Sequence, residues 1–417
     1  MTAIDDLMTA TTATQSWKRV QIKDIYLALY DGPHATPKPA SEGAVFLGIK
    51  NITEDGKLDL SDIRYISEED FPKWTRRVLP RPGDMVFTYE ATLNRYAIIP
   101  EGFRGCLCRR LALIRPNLEK VDTRFLFYYF FGENWRKTIA TNLIFGSTVD
   151  RIPLTNFPKF EISLPPLPIQ RKITAILSAY DDLIENNMRR IEILEEMARS
   201  LYREWFVNFR FPGHEQVKMV DSELGLIPEG WKVMCLGKLA SFQTGKLNSN
   251  AAKPNGVYPF FTCSQEIFRT DTYSFDTECV LLAGNNANGV FHIKYFKGKF
   301  DAYQRTYVIR SLNQHQVTNY YLYFAIKAQL EHLKSISTGS ATKFLTLTIL
   351  NNLNIIVSLP DIQDKFAKFI FAVFSEIELL QAKNTNLRQT RDLLLPRLIS
   401  GEIDVENLDI KTGEIAA

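Results

Sequence analysis

Two stretches of this 417-residue chain bring together side chains suited to reading nucleic acid. The first holds Lys73, Arg76, Arg77, Arg81, Tyr89, Thr92, Asn94, Arg95, Arg104, Arg109 and Arg110, and between residues 73 and 110 there are 8 basic and 3 acidic residues. The second holds Lys246, Asn248, Asn250, Lys253, Ser264, Gln265, Asn285, Asn286, Asn288, Lys294, Lys297, Tyr303, Gln304 and Arg305. Arginine and lysine meet guanine edges or phosphate oxygens, and asparagine and glutamine pair with adenine edges. Taken singly, each is an ordinary solvated loop residue; the sets carry the reading.

The spacing of the other reactive residues argues against catalysis. A phosphate-cradling GxxxxGK[ST] loop is missing, since neither Gly56-Lys57 nor Gly245-Lys246 fits it, and no Asn/Asp-Pro-Pro-aromatic tetrapeptide of an amino-methyltransferase occurs. Gly284-Asn285-Asn286-Ala287-Asn288-Gly289 reads as a tight turn. Cys106, Cys108, Cys235, Cys263 and Cys279 are odd in number and lack CxxC spacing, which fits reduced thiols in a cytoplasmic protein better than zinc or disulfides. Asp404, Glu406 and Asp409 are expected in an exposed polar tail, not a metal cluster. No run of eighteen apolar residues and no charged-then-apolar leader is present, so no membrane partner is expected.

The formal net charge is only +3, yet it conceals a division. Residues 231–358 hold 13 basic and 6 acidic residues, and residues 1–165 hold 22 and 20. Residues 166–230 hold 8 and 11, and residues 359–417 hold 7 and 10. Phosphate attraction needs local basic charge, not a basic total.

What positions these residues is a duplication. At an offset of 193, Gly146-Ser147 matches Gly339-Ser340, Leu154-Thr155 matches Leu347-Thr348, and Ile169-Gln170 matches Ile362-Gln363. Each Ile-Gln is followed by apolar residues alternating four and three apart. The first series is Ile173, Leu177, Tyr180, Ile184, Asn187, Ile191, Leu194, Ala198, Leu201 and Trp205. The second is Phe366, Ile370, Val373, Ile377, Leu380, Asn384, Leu387, Arg391, Leu394 and Leu398. A sustained period of about 3.5 residues specifies a helix with one apolar seam, here about 35 residues or about 50 Å long. Two such helices in one chain can seal each other's seams by running antiparallel. Asn187 and Asn384 are read either as register-setting polar seam residues or as residues of a solvated edge. Arg391 marks fraying or a partner contact, and Pro396 is expected to kink or end the second helix, leaving Leu398 beyond it.

Upstream of each helix, runs such as Ala44–Leu47, Asp84–Thr88 and Cys279–Leu282 read as strands, and 123–142 and 317–335 as helical. The expected fold class is therefore α+β: two strand-rich domains and two long helices in an antiparallel intramolecular coiled coil, related by a pseudo-two-fold repeat. The boundaries read as a first domain over 1–165, its helix over 166–210, a linker over 211–230, a second domain over 231–358, its helix over 359–400 and a polar tail over 401–417. Ser147-Thr148 and Ser340-Ala341-Thr342-Lys343 occupy equivalent loops, read either as phosphate-contacting or as domain-to-coil hinges.

Several segments resemble the specificity subunit of type I restriction–modification systems. They are Leu164-Pro165-Pro166-Leu167-Pro168-Ile169-Gln170, Leu359-Pro360-Asp361-Ile362-Gln363, and Leu201-Tyr202-Arg203-Glu204-Trp205-Phe206 leading to Phe211-Pro212-Gly213. Leu224-Gly225-Leu226-Ile227-Pro228, Leu395-Pro396-Arg397-Leu398-Ile399-Ser400-Gly401, Asp31-Gly32-Pro33-His34 and Pro82-Gly83-Asp84 extend the resemblance over nearly the whole chain. The second domain lacks a clear counterpart of Asp31-Gly32-Pro33-His34. The resemblance implies two target recognition domains, each reading one part of a split, asymmetric sequence in double-stranded DNA. It implies helices that dock modification subunits, two in number, with restriction subunits completing the complex. S-adenosylmethionine, ATP and Mg belong to those partners, and this chain binds no cofactor or metal and performs no chemistry.

The alternatives are the recognition part of a related two-part system and a coiled-coil scaffold without DNA binding. The scaffold reading expects Arg95→Ala and Arg305→Ala to leave biological activity intact. The resemblance also makes the coil a ruler. Inserting one heptad into both helices adds about 10 Å at 1.5 Å per residue and should widen the gap between half-sites by about three base pairs. A methylation-site map with unchanged spacing would refute the ruler.

Overall fold

Short β-branched and aromatic runs form strands where glycine, proline and asparagine interrupt them. The structure, a computed structural model, describes residues 17–146, 149–287, 289–340 and 342–410. The first half contains β1 (Lys18–Gln21), β2 (Tyr26–Asp31), β3 (Ala44–Leu47), β4 (Arg64–Ile66), β5 (Met85–Thr88), β6 (Tyr96–Ile98), β7 (Gly105–Leu107) and β8 (Leu111–Pro116). Helices α1 (Thr123–Phe131) and α2 (Glu133–Thr141), strand β9 (Glu161–Leu164) and the long helix α3 (Leu167–Tyr202) follow.

The second half contains β10 (Met219–Ser222), β11 (Gly225–Pro228), β12 (Lys232–Cys235), β13 (Ala240–Thr244), β14 (Tyr258–Phe261), β15 (Ile267–Thr270), β16 (Phe275–Ala283), β17 (Asn285–Asn286), β18 (Ile293–Ala302) and β19 (Thr306–Ser311). Helices α4 (Asn319–Ala328) and α5 (Leu330–Ile336), strands β20 (Lys343–Phe344) and β21 (Asn354–Val357), and the long helix α6 (Pro360–Ile399) complete it.

The chain divides into two units. The first takes the described residues of Met1–Asn186 and Lys383–Ala417, and the second is Asn187–Ala382. In the first, β2, β8, β5 and β6 form an antiparallel sheet in that order, β3 lies between β4 and β7, and β1 closes onto β9. In the second, β13, β19, β16, β18, β14 and β15 form one sheet, and β12 closes onto β21. The connectivity is the same. Strand β18 pairs with both β16 and β14, serving the roles that β6 and β7 divide between them in the first unit.

The heptad pattern places the seam inside the domain cores. In the first unit Ile173 and Leu177 are buried with Leu394 and Leu398, and Ile184 is buried further along the same helix. In the second, Phe366, Ile370, Val373 and Ile377 are buried with Ala198, while Ile191, Leu194 and Leu201 pack at the edge. Leu380 is fully buried, and Tyr180 and Leu387 are half-buried. The helix segments run antiparallel within each unit: Asn384 reaches the Ile184 carbonyl at 3.5 Å and Arg391 pairs with Asp181 at 2.5 Å in the first. In the second, Arg190 pairs with Glu376 at 2.8 Å.

Four expectations are corrected or decided here. Asn187 and Asn384 are 9% and 2% exposed, so the solvated-edge reading falls. Arg391 does not mark fraying: its partner is Asp181, whose other oxygen accepts the Tyr128 hydroxyl at 2.6 Å. Pro396 does not end α6, which continues to Ile399, and Leu398 lies within it, fully buried. A proline there forfeits one backbone hydrogen bond, and burial of Leu398 and Ile399 outweighs that loss. Finally, the segment after Gly401 is not simply a solvated tail. Glu406 and Asp409 are exposed and Asp404 half-exposed, but Ile403 and Val405 are buried in the first unit's core, and the Lys172 ammonium holds the Glu406 and Leu408 carbonyls at 2.7 and 2.9 Å.

Pro82-Gly83-Asp84 proves architectural. Asp84 is 2% exposed, accepts from the Arg81 amide at 2.8 Å, and takes Arg115 bidentately at 2.8 and 2.7 Å. Removing one partner of a buried pair strands the other charge, so Asp84→Ala should cost about 3 kcal/mol in urea unfolding, with DNA contacts untouched in the surviving folded fraction.

Candidate nucleic-acid interface

In the second unit backbone hydrogen bonds between loops bring part of the basic set together. The Tyr303 amide bonds the Phe261 carbonyl at 2.9 Å, and the Gln304 amide bonds the Leu247 carbonyl at 3.0 Å. The Gly284 amide bonds the Arg305 carbonyl at 2.8 Å, and Asn285 and Asn286 pair with Phe344 and Lys343. The Cys263 thiol donates to the Asn285 side-chain carbonyl at 3.0 Å. Lys246, Asn248, Gln265, Gln304 and Arg305 are exposed on these loops, Lys343 is half-exposed, and Asn250 lies on the adjoining turn Ser249–Ala251. The Arg305 guanidinium stands 5.4 Å over the Phe344 ring, which holds a flat donor fork in one orientation. Lys294 differs. It is half-buried, donates to the Ser264 carbonyl at 2.6 Å, and burial holds its ammonium below the ordinary lysine range, so it braces the loop.

The first unit builds its face on the loop between β5 and β6. The Tyr89 hydroxyl donates to the Arg109 carbonyl at 2.6 Å and its amide bonds the Arg110 carbonyl at 3.2 Å. Burial, with Asp31 and Glu90 nearby, pushes the Tyr89 phenol up to about 12, so it remains a neutral donor. Arg77 pairs with Asp31 at 2.5 Å, and His34 meets the other oxygen at 2.8 Å. Burial pushes the Asp31 carboxyl up, but the His34 and Arg77 hydrogen bonds outweigh it and hold it below the usual range. Lys73, Arg76 and Arg109 are exposed with no acidic partner among the described residues. Arg110 is half-buried and its Nε is enclosed without a partner.

Some of the first basic set is engaged elsewhere. Arg95 turns back to the Ile52 carbonyl at 3.2 Å and Glu54 at 3.0 Å, and Arg104 is held bidentately by Glu68. Asn94, at φ 59°, accepts from the Tyr96 hydroxyl at 3.1 Å, and Thr92 continues the same turn. Ser147 and Asn288 lie outside the described residues, as do Thr148 and Ala341. Sequence reasoning passed over Arg151, whose backbone forms an antiparallel bridge with Glu90 and which is exposed. Its only signal was its place just past the repeated Gly-Ser.

The two faces share one frame. The Gly32 amide bonds the Leu111 carbonyl at 3.0 Å as Gly245 bonds that of Thr306 at 3.3 Å. Ile152 bonds the Tyr89 carbonyl at 2.8 Å as Leu345 bonds that of Gly284 at 2.9 Å. A Cβ on Gly32 would fall 2.0 Å from the Cys108 carbonyl oxygen, and one on Gly245 1.8 Å from that of Ala302, so both turns need glycine. The second domain therefore has its counterpart of Asp31-Gly32-Pro33-His34: it is Thr244-Gly245-Lys246-Leu247, with only the glycine retained. In the second unit Lys343–Phe344 pairs with Asn285–Asn286, which ties this end of the repeated loop to the domain face.

A doubled α+β scaffold with one basic loop face per unit defines a duplicated recognition protein. The family model described as "Type I restriction modification DNA specificity domain" matches residues 15–196 and again 228–389. The chain belongs to that family, whose function is DNA recognition. Over 186 residues it is 32% identical to the EcoDI specificity subunit of Escherichia coli, covering 44% of this chain and 40% of that subunit. It is 26% identical to the MjaIX specificity subunit of Methanocaldococcus jannaschii over 83% of each chain. The crystal structure of a type I S subunit from M. genitalium shares the fold at a TM-score of 0.56 and 17% identity, covering 92% of this chain and 96% of that one. The described residues contain no group of three or more His, Cys, Asp or Glu that could hold a metal ion, and no helix long and apolar enough to cross a membrane.

Proposed function

We propose that this chain is the address-reading subunit of a type I restriction–modification complex and that its two units read the two parts of a split, asymmetric target in double-stranded DNA. One observation carries the reading: the same backbone frame presents different side chains. Pro33-His34 stands against Lys246-Leu247, Tyr89-Glu90 against Gly284-Asn285, and Arg151 against Phe344. A shared frame with divergent readers is what two different half-sites require.

The long helices supply the docking surface for the modification subunits. In support, each carries large apolar side chains in water: Leu183, Met188, Ile193 and Met197 on α3, and Phe369, Phe371, Leu379 and Leu393 on α6. Two modification subunits, with restriction subunits added, supply methylation and cleavage together with S-adenosylmethionine, ATP and Mg, and the complex works in the cytoplasm. Methylation-aware sequencing of host DNA, with and without this gene, tests the proposal. A split, non-palindromic motif should vanish with the gene; a palindromic motif or an unchanged map overturns it.

A further inference from the structure

The most exposed large apolar side chain among the described residues is Phe145, at 77%. It projects from a hairpin clamped to the first unit's reading face. Ile144 and Arg151 exchange hydrogen bonds at 3.0 and 3.1 Å, Ile152 bonds the Tyr89 carbonyl at 2.8 Å, and the Ala91 amide bonds the Asp150 carbonyl at 3.1 Å. The clamp is tight. A Cβ on Gly146 would fall 2.3 Å from the Val149 carbonyl oxygen, and Ala91 and Asn94 sit at φ 69° and 59°, a backbone region that costs a residue with a side chain. The frame itself does not require an exposed ring there. In the second unit the equivalent hairpin closes one residue further along, where Thr338 and Phe344 exchange hydrogen bonds at 3.1 and 2.8 Å, and Thr338 takes the place of Phe145.

A phenyl ring held in water next to the Ile144–Arg151 pairing is unfavourable unless something covers it. The neighbouring charges select what that is. Arg151 on the same hairpin and Arg109 beside Tyr89 are both exposed, whereas the neighbouring Glu90 and Asp150 are only half-exposed, so the outermost charge is positive and favours a cover that combines a flat apolar face with anionic groups. A nucleic-acid base within its phosphate backbone has that combination. Resting on the DNA-reading function proposed above, we propose that Phe145 enters the duplex at one base step of the first half-site and stacks on the base it partly unstacks. Arg109 and Arg151 hold the flanking phosphates, and the second unit reads its half-site without such a wedge.

The test uses the full chain assembled with its modification subunits and duplexes carrying the mapped target. 2-Aminopurine is scanned through the first half-site, omitting the methylated base. The wild-type assembly should raise fluorescence at one position. Phe145→Ala should abolish that rise and weaken binding about tenfold, within the range that loss of one stacking ring costs. Phe145→Trp should restore both, and thermal melting should not change. Fluorescence retained in Phe145→Ala overturns the inference and leaves the DNA-reading function standing. Failure of Phe145→Ala to assemble with the modification subunits assigns the ring to a protein contact and also overturns it. A wild-type assembly without sequence-selective binding overturns both readings.

Discussion

Replacing Lys246, Arg305 and Lys343 together by alanine should cripple recognition by the second unit while the protein folds normally. Lys246 and Arg305 are exposed and Lys343 is half-exposed, on loops whose positions are set by backbone hydrogen bonds, so their removal costs the fold little. Each cation that neutralises a phosphate releases counterions, and losing all three contacts should flatten the slope of log K against log salt by about 2.7, at about 0.9 per phosphate. If Arg305, oriented over Phe344, meets a base edge instead, its share appears as about 1–3 kcal/mol of lost discrimination at one position. A salt titration with specific and scrambled duplexes separates these outcomes. A methylation map should show the second half-site relaxed and the first retained. Loss of both halves would show that the units do not read independently.

The largest stability effect is expected at Phe366. This ring is fully buried and sits among Tyr202, Trp205, Phe206 and Phe324, with centroid distances from 4.9 to 6.3 Å. All five rings belong to the second unit, so the first coil position of α6 is also the centre of a domain core. Phe366→Ala leaves a cavity that rigid aromatic neighbours cannot close, at a cost of about 3–5 kcal/mol in urea unfolding followed by tryptophan fluorescence. Leu194 and Leu387 are only half-buried seam positions, and truncating either should cost about 1 kcal/mol, in proportion to area lost. Equal effects at Phe366 and Leu387 would mean that the seam acts as an independent coiled coil.

The corrections have one cause. Periodicity reports which side of a helix is apolar, but it is silent about what covers that side. The seam residues were legible because a sustained four-three alternation specifies a helix with one apolar stripe and little else. That Ile173 would pack with Leu398, and that Ile403 and Val405 would join the same core, depended on contacts between residues more than two hundred apart. Pro396 stays inside its helix for the same reason, because a propensity known locally is outweighed by burial arriving from a distant segment.

The candidate binding face divides in the same way. Its residue types were legible: basic, amide and hydroxyl side chains in two stretches, with an offset of 193 that made the two stretches one plan. Which members face outward was not, because ion pairs close in space and not in sequence. Arg95 is drawn back by Glu54, and Arg104 by Glu68. The equivalence of Gly32 and Gly245 was hidden because one glycine in four residues is too weak a signal, although the carbonyl pressed against each leaves room for nothing larger. The sequence by itself determined that this protein is a duplicated, strand-rich reader with two seamed helices, since period, repeat and local charge are properties of order along a chain. Tertiary structure alone decided which cations lack an acidic partner, which loops stand side by side, and where a phenyl ring is left exposed, since each of these follows from distances that folding creates.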